Sequence, residues 1–480
     1  MKRVGRITLW IVILLSLPLL LVKAFDFAFY RTFHPVPPEA NFPPAQNIAT
    51  AQRQDFEYFQ NYFELNRSYT PVARAQAIRL FAEYRAKAGS FTSAQFDLAI
   101  ARMVALADNG HSRAEPGPLP RRHNSIPCRL YHFSDGYFVI RARPACAHLL
   151  GAKVVMVEGR RIDEVADRMY QYFGGPRNHY DQFAAVFFLE SPELLQAAGL
   201  AAGTDQLNLH VVLRDGSEHD ATLVADPPDP DAPWVYSDAY LSQPHVWKEA
   251  ADWVPLLAAD AKLPIFLRDY ANPFHSEYWP DTGVYFVQFR SNQDEWSHPI
   301  GPFVASVERD LAVDHPRVIV LDLRLDQGGN FKTTASLMKQ LTQEESVEHV
   351  FVLTSAWTFS AGEATLVLAK HYGVEKVSVI GEPAGDRMRL WSEGGTLLLP
   401  NSKLSIGFAT GLFDYSHSCW REPGCFWLTF FYPLRVQTLE PDIRVGYLFA
   451  DYMNLRDPLL ERALQLAGTR RIARKDLPAI

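Results

Sequence analysis

The most constraining feature of the chain is a strand that turns directly into a helix between residues 350 and 373. Residues 350–354 (VFVLT) form an apolar run typical of a buried strand, and an amphipathic helical pattern begins shortly afterwards. Ser360 lies at the junction, so its hydroxyl is placed at a helix N-terminus, where unpaired N–H groups favour negative charge. From about Asp281 onward, strand and helix patterns alternate in this way, which predicts an α/β layered fold.

A second strand is followed by two glycines. Residues 318–324 (VIVLDLR) have the pattern of a buried strand, and Gly328 and Gly329 come shortly after it. Backbone N–H groups of such a turn can point at a ligand, which is one way to build an oxyanion hole. Taken alone, Ser360 and Glu363 also fit a capping box, in which the two side chains only satisfy the helix end.

Four motifs, taken in order, resemble the S41 peptidases, the tail-specific or C-terminal processing protease family. They are DLRLDQGG (322–329), TFSAGE (358–363), VIGEP (379–383) and LEPDI (439–443). The resemblance extends from about Gly283 to Asp457. It implies a ClpP/crotonase-like catalytic core in which Ser360 is the nucleophile. It also implies that backbone N–H groups of Gly328 or Gly329 and of Ala361 form the oxyanion hole.

The general base is the point at which the chain departs from the family pattern. Tail-specific proteases carry a lysine just beyond the Gly-Glu-Pro motif, whereas this chain has Arg387 there, and arginine stays protonated. We predict that His111 is the base, because residues 108–111 (DNGH) resemble the Asp-Gly-His segment of many S41 relatives. A base of this kind predicts an ionisation near pH 6–7. The alternative for His111 is a loop histidine that caps a helix.

Four further side chains have lesser expected roles. Glu363 and Arg387 are predicted to support the site. His371 and His417 are weaker candidates for the base, since the first lies on the nucleophile helix and the second in an irregular segment.

Composition and motifs exclude several classes of function. A chain of 480 residues with a net charge of −7 is expected to form two or three domains, and it has no basic block suited to nucleic acid. The sequence contains no G-x-G-x-x-G, no Walker-type loop and no H-E-x-x-H. We therefore expect no cofactor and no metal. The resemblance to the S41 peptidases implies a polypeptide substrate.

The N-terminus has the pattern of an export signal. Lys2, Arg3 and Arg6 precede an uncharged run from Ile7 to Val22. The run is short for a membrane span, which favours a signal peptide cleaved after Ala24, but a retained signal anchor fits almost as well. Either alternative places the protein outside the cytoplasm, in the periplasm or secreted, with a membrane attachment if the segment is uncleaved.

The four cysteines form two close pairs in the sequence. We predict disulfides between Cys128 and Cys146 and between Cys419 and Cys425, since an exported protein meets oxidising conditions. The alternative is four unlinked thiols.

The predicted architecture is an α/β multidomain protein. Residues 151–165 resemble the second half of a PDZ domain, a module that receives peptide C-termini in S41 proteases; the alternative for this region is a plain β-rich spacer. The predicted divisions are a signal peptide or anchor (1–24), a Pro-rich spacer (25–47), a helical domain (48–115), a PDZ-like β-rich domain (124–224), a linker (225–280), the peptidase core (281–468) and a basic tail (469–480).

These observations together predict an exported serine peptidase. The alternative is a catalytically inactive peptide- or ligand-binding protein on the same fold. The two hypotheses share every motif except the base.

Overall fold

The computed structural model describes residues 21–115, 122–229, 239, 241–242, 252–295 and 298–468. Most of the predicted export signal and the whole basic tail 469–480 therefore lie outside the described residues. Within the described ranges, no helix is both long enough and apolar enough to cross a membrane.

Five helices form the N-terminal part of the chain. They are α1 (residues 21–33), α2 (Ile48–Phe59), α3 (Tyr62–Leu65), α4 (Pro71–Ala86) and α5 (Ser93–Ala105). The helix starts follow from local sequence, since Thr70 caps α4 ahead of Pro71, and Thr92 forms a reciprocal capping box with Gln95 in α5. Helices α2 to α5 bury an aromatic cluster that includes Phe56, Phe59 and Phe96.

Helix α1 differs from the expected extended spacer. Residues 25–33 are helical, and only the chain after His34 is extended. Phe29 and Phe33, four residues apart on one face of α1, pack against Phe426, and Phe33 is completely buried. The Thr410 hydroxyl also donates to the carbonyl oxygen of Phe33 at 2.6 Å. The spacing of these aromatic residues stabilises a helix here because the rest of the protein supplies a surface for them.

A β-rich region follows the helices. Its strands are β1 (Ala114–Glu115), β2 (Cys128–Phe133), β3 (Gly136–Ala142), β4 (Lys153–Val157), β5 (Arg160–Arg161), β6 (Gln206–Val212), β7 (Glu218–Val224) and β8 (Val254–Pro255). An antiparallel sheet has the order β2-β3-β4-β6-β7, with β5 paired to β4 and β8 paired to β3. Helices α6 (Ile162–Met169), α7 (Arg177–Ala184) and α8 (Pro192–Ala197) lie between β5 and β6 in the chain.

The C-terminal part contains a six-stranded sheet with helices on both faces. Its strands are β9 (Phe274–Trp279), β10 (Val284–Phe289), β11 (Val318–Asp322), β12 (His349–Thr354), β13 (Val377–Gly381) and β18 (Ile443–Arg444). Strands β10, β11, β12, β13 and β18 are parallel neighbours in that order, and β9 pairs antiparallel with β10 at the edge. The predicted α/β arrangement of this region is confirmed.

The two faces of this sheet carry different helices. Helices α9 (Ile300–Asp314), α10 (Lys332–Gln343) and α11 (Ala361–Gly373) share one apolar cluster with alternate strand residues such as Ile319 and Leu321. The last helix, α13 (Pro458–Gly468), packs with the intervening residues Val318 and Val320 on the other face. Short α12 (Phe449–Met453) precedes α13. Because both faces are covered, the central strands are continuously apolar.

Four short strands attach the N-terminal helices to this core. They are β14 (Arg389–Ser392), β15 (Gly395–Leu398), β16 (Ser405–Phe408) and β17 (Gly411–Asp414). Strand β1 pairs antiparallel with β16, and β16 pairs with β15. Since β1 begins just after His111, this pairing carries the His111 segment to the C-terminal core.

The cysteines agree with only one of the predicted disulfides. Cys419 and Cys425 are bonded. Cys128 and Cys146 are free thiols, so the prediction of a disulfide between them was wrong. The alternative of four unlinked thiols was also wrong, because Cys419 and Cys425 are bonded. Cys128 is buried in β2, and burial raises the pKa of its thiol. The neighbouring Cys146 thiol raises this pKa as well. The close spacing in sequence predicted the proximity of the two thiols correctly, but not a bond.

Candidate active site

Ser360 immediately precedes α11 in an uncommon backbone conformation. Its φ is 55° and its ψ is −120°, outside the regions that residues other than glycine usually adopt. The side chain makes no capping hydrogen bond to α11. The capping-box alternative for Ser360 and Glu363 is therefore wrong. Instead, Ser360 lines a cavity.

Gly328 lies directly against Ser360. A Cβ atom at Gly328 would stand 2.7 Å from the Ser360 Cβ and 3.0 Å from the Ala361 nitrogen, and its φ of 113° is itself unsuited to other residues. On the other side of the loop, a Cβ at Gly362 would stand 2.2 Å from the carbonyl oxygen of Asp326. The Gly-Gly loop and the start of α11 are therefore packed backbone against backbone.

The predicted oxyanion-hole donors are not equivalent. The Gly328 N–H donates to the Asp326 carboxylate at 3.0 Å, so it is already engaged. The N–H groups of Gly329 and Ala361 have no hydrogen-bond acceptor among the residues that the structure describes. Ala361 is the first residue of α11, where the N–H has no partner within the helix. The geometry thus leaves Gly329 and Ala361 as the available pair.

The loop that carries His111 is held by buried polar side chains. Asn109 donates to the Ser112 hydroxyl at 3.1 Å and accepts from the N–H of Trp391 at 3.1 Å. Ser112 in turn lies 3.0 Å from the side-chain oxygen of Asn66. These bonds join the end of α5 to β14 and fix the direction of His111.

The His111 ring stacks on Phe359, the residue before the proposed nucleophile. The ring centroids are 4.5 Å apart, and a Cβ at Gly110 would stand 2.8 Å from the same Phe359 ring. His111 and Ser360 line one cavity. No hydrogen bond joins them, since the Nε2 atom of His111 has no partner among the described residues.

Asp386 is a site residue that we did not single out from the sequence. Its Oδ2 atom lies 3.3 Å from Nδ1 of His111, at ion-pair distance although without hydrogen-bond alignment. The Asp386 side chain is 2% exposed and the His111 side chain 16% exposed. A signal was present, because Asp386 directly precedes Arg387 and a catalytic histidine usually needs a carboxylate to orient it.

Burial perturbs both members of this pair. Burial, together with the nearby Arg113 charge, lowers the pKa of His111 to about 3, so the imidazole is neutral at physiological pH. Burial also raises the pKa of Asp386 to about 7, against the opposing effects of the Arg387 N–H and guanidinium. The pKa of His111 thus lies below the range of pH 6–7 expected for a histidine base, whereas the pKa of Asp386 lies in that range.

Arg387 does not take the place of a lysine base. Its guanidinium donates to both carboxylate oxygens of Asp108 at 3.0 Å and to the Asp108 carbonyl oxygen at 2.8 Å. Arg387 is not among the described residues that line the cavity. Because Asp108 belongs to the loop before His111, Arg387 supports the His111 loop.

Glu363 is completely buried in the first turn of α11. Neither of its carboxylate oxygens has a hydrogen-bond partner within the described parts of the chain. Burial and the neighbouring Asp386 charge raise the pKa of Glu363 well above its ordinary range. This direction favours the neutral form of the Glu363 carboxyl group.

His179 is a second cavity histidine that sequence reasoning missed. Its Nδ1 lies 3.0 Å from the carbonyl oxygen of Ala356, and its Nε2 lies 3.3 Å from Nη1 of Arg113. Arginine can only donate, so Nε2 accepts and Nδ1 donates. Burial lowers the pKa of His179 to about 3. With both nitrogens engaged, His179 is a poorer base than His111.

The two weaker histidine candidates lie elsewhere. His371 contacts the carbonyl oxygen of Arg435, and His417 contacts Ser416 at an exposed position. Neither is among the described residues that line the cavity.

The cavity itself has a volume of about 690 Å³. Its lining is partly apolar, with Phe183, Phe359 and Leu325, and partly polar, with Arg290 and Glu295. A space of this size and mixed lining suits several residues of an extended peptide.

Comparison with known proteins identifies related folds but no close relative. No family model and no curated protein matches the chain. A serine-to-alanine mutant of CPAF superposes with a TM-score of 0.56 at 12% identity, covering 89% of this chain and 100% of that one. Mature CPAF complexed with lactacystin gives 0.53 at 10% identity, covering 88% and 98%.

A third structure is more distant. The photosystem II D1 C-terminal processing protease covers 89% of this chain and 98% of its own at 13% identity, with a TM-score of 0.37. The likeness to CPAF shows that the chain shares this overall fold. The predicted resemblance to the S41 peptidases is confirmed at that level.

Proposed function

We propose that the chain is a serine peptidase that cleaves polypeptides with Ser360 as its nucleophile. His111 is the general base, Asp386 orients it, and the N–H groups of Gly329 and Ala361 bind the oxyanion. The observation that carries the proposal is that His111, Gly329 and Ser360, from separate parts of the chain, line one cavity, with Asp386 beside His111.

The reaction follows from these positions. The Ser360 hydroxyl attacks the carbonyl carbon of the scissile peptide bond while its proton passes to Nε2 of His111. The oxygen that becomes negative accepts hydrogen bonds from Gly329 and Ala361. His111 then gives the proton to the leaving amine, and water hydrolyses the acyl-enzyme by the same route.

Asp386 acts on the charge that forms on His111. A buried neutral imidazole resists protonation, as the lowered pKa of His111 indicates. An ionised Asp386 at Nδ1 stabilises the imidazolium and directs Nε2 toward the serine. Serine and base often lie apart in a free enzyme and approach each other when substrate binds, which accommodates the absence of a direct bond here.

The finer predictions on fold and location belong to the same proposal. The parallel sheet with α11 after β12 suits a ClpP/crotonase-like core, and the antiparallel sheet of β2 to β7 suits a PDZ-like domain. The cationic residues and apolar run before Leu21 support an extracytoplasmic location.

The main argument for the alternative, an inactive binding protein, no longer holds. It rested on an arginine where a lysine base was expected. Arg387 has a separate partner in Asp108, and the pair of His111 and Asp386 supplies a different base.

A fluorophosphonate probe tests the proposal, because it reacts only with an activated serine. We expect covalent labelling of Ser360, found by peptide mass spectrometry, and none in Ser360→Ala. His111→Gln should slow labelling by about 10³-fold or more. The exposed Ser217, in the turn between β6 and β7, is a matched control, and Ser217→Ala should label normally. Absence of labelling together with absence of casein hydrolysis would instead favour the binding protein.

A further inference from the structure

Exposed aromatic side chains occur on α1 and on the segment 419–431. We call this surface the aromatic face. Its rings have exposed fractions between 45% and 69%. They belong to Phe25, Phe27, Tyr30, Trp420, Phe430 and Phe431.

The two parts of the aromatic face are joined by direct contacts. The Phe25 ring lies 5.6 Å from the Trp427 ring, and Trp427 begins the single 3₁₀ turn that ends at Phe430. The Cys425 sulfur lies 3.5 Å from the Thr429 hydroxyl, and Cys425 is bonded to Cys419, the neighbour of Trp420. These contacts hold α1 against the segment 419–431, so the exposed rings of the aromatic face lie on two elements that pack together.

Basic side chains accompany the rings. Lys23 and Arg31 are exposed on the same side of α1 as Phe27 and Tyr30, since residues three and four apart share a helix face. The Arg421 guanidinium lies 4.4 Å from the centre of the Trp420 ring. Aromatic rings interleaved with lysine and arginine are typical of surfaces that lie at a lipid headgroup layer.

The sequence before α1 indicates which partner this surface meets. The sequence has an uncharged run from Ile7 to Val22 that reaches the start of α1, and the first described residue of α1, Leu21, is 61% exposed. A second copy of the chain would bring Lys23, Arg31 and Arg421 toward the same cations of its partner, which is unfavourable. Anionic phospholipids complement both the rings and the cations.

We propose that the aromatic face rests on an anionic phospholipid bilayer, with α1 and the segment 419–431 at headgroup depth. This inference is independent of peptide hydrolysis. It requires contact between lipid and residues 419–431, which are far from the N-terminus in sequence, and a simple N-terminal attachment does not require that contact.

Photo-crosslinking of the full chain tests the proposal. The protein is incorporated into vesicles of phosphatidylcholine and phosphatidylglycerol that contain a headgroup photo-crosslinking lipid, and labelled peptides are identified by mass spectrometry. We expect labelling within residues 419–431. Phe430→Ser combined with Phe431→Ser should reduce it by about tenfold, because each ring loses its burial in lipid. Val313→Ser, an exposed apolar residue on α9, is the matched control and should leave it unchanged.

Other outcomes would overturn the proposal. Labelling confined to the N-terminal segment, or equal in the double variant, would show that the face does not contact lipid. Equal labelling on vesicles of phosphatidylcholine alone would remove the role of the cations. A dimer in detergent that the double variant dissociates would show that the face binds a second copy. Fluorophosphonate labelling in solution should be unaffected by the double variant, which separates this test from that of the peptidase.

Discussion

Replacement of Asp386 by asparagine should remove activity and make the protein more stable at alkaline pH. The carboxylate is 2% exposed, and burial raises its pKa to about 7 from an ordinary value of 3.8. Ionising this carboxyl group inside the protein costs free energy. In the proposed mechanism the ionised form is needed, because it stabilises the charge that forms on His111. An amide has the same shape but no charge, so it avoids the cost and loses the support.

The size of the effect follows from the two pKa values. A raised pKa means that the folded state holds its proton over the range in which the unfolded chain has already lost it. Stability therefore falls as pH rises from about 4 to about 7 and is constant above, by about 4 kcal/mol in total at about 1.36 kcal/mol per pH unit. At pH 5 less than half of this cost is present, about 2 kcal/mol. Asp386→Asn should gain the difference, about 2–3 kcal/mol, between pH 5 and pH 8.

Two measurements check this prediction. Urea unfolding at pH 5 and pH 8 should show the increasing stability advantage of Asp386→Asn, whereas the exposed control Asp281→Asn should show none. Peptide hydrolysis by the wild type should rise through a single ionisation near pH 7, and Asp386→Asn should lose about 10³–10⁴-fold in kcat. An equal stability difference at the two pH values, or full activity in the variant, would refute the buried Asp386–His111 pair.

Two further substitutions test the packing around the site. Gly328→Ala should lower kcat by about 10²-fold or more, because the new Cβ would stand 2.7 Å from the Ser360 Cβ. Gly203→Ala is the control, since a Cβ there would have no atom within 4 Å. Unchanged turnover in Gly328→Ala would contradict the packing. Arg387→Ala should lower kcat by about tenfold through the His111 loop, while stability changes by no more than about 1 kcal/mol because the pair with Asp108 is half-exposed. Arg387→Lys keeps one contact with Asp108 and should retain most activity. Peptide hydrolysis and urea unfolding measure the effects. An equal loss of activity in Arg387→Ala and Arg387→Lys would argue against this supporting role.

Local sequence patterns were sufficient to predict the part of the proposed site around Ser360. Ser360 at the start of α11 and the Gly-Gly loop after β11 follow from a strand, a turn and a helix that are adjacent in the chain. The apolar runs of β11 and β12 likewise predicted a covered parallel sheet. Periodicity and turn chemistry act over a few residues, and these features depend on nothing more distant.

The part of the proposed site around His111 could be predicted only in part from the sequence. The motif resemblance identified His111, but its carboxylate partner Asp386 became evident only when β1 paired with β16 and brought the His111 loop against the end of β13. The charge of Arg387 argued against a lysine-like role, yet only the structure shows that it binds Asp108. Burial, which sets the pKa values of His111 and Asp386, is likewise a property of the assembled fold.

Local sequence was enough to predict the strand, turn and helix around Ser360 and the two glycines after β11, because each depends on neighbouring residues and backbone sterics. Tertiary structure alone decided that Cys128 and Cys146 lie together unbonded, that α1 is a helix packed on Phe426, and that Asp386 faces His111. Those features require side chains far apart in the chain to meet, and which of many possible partners meet is decided by how the sheets and helices pack together.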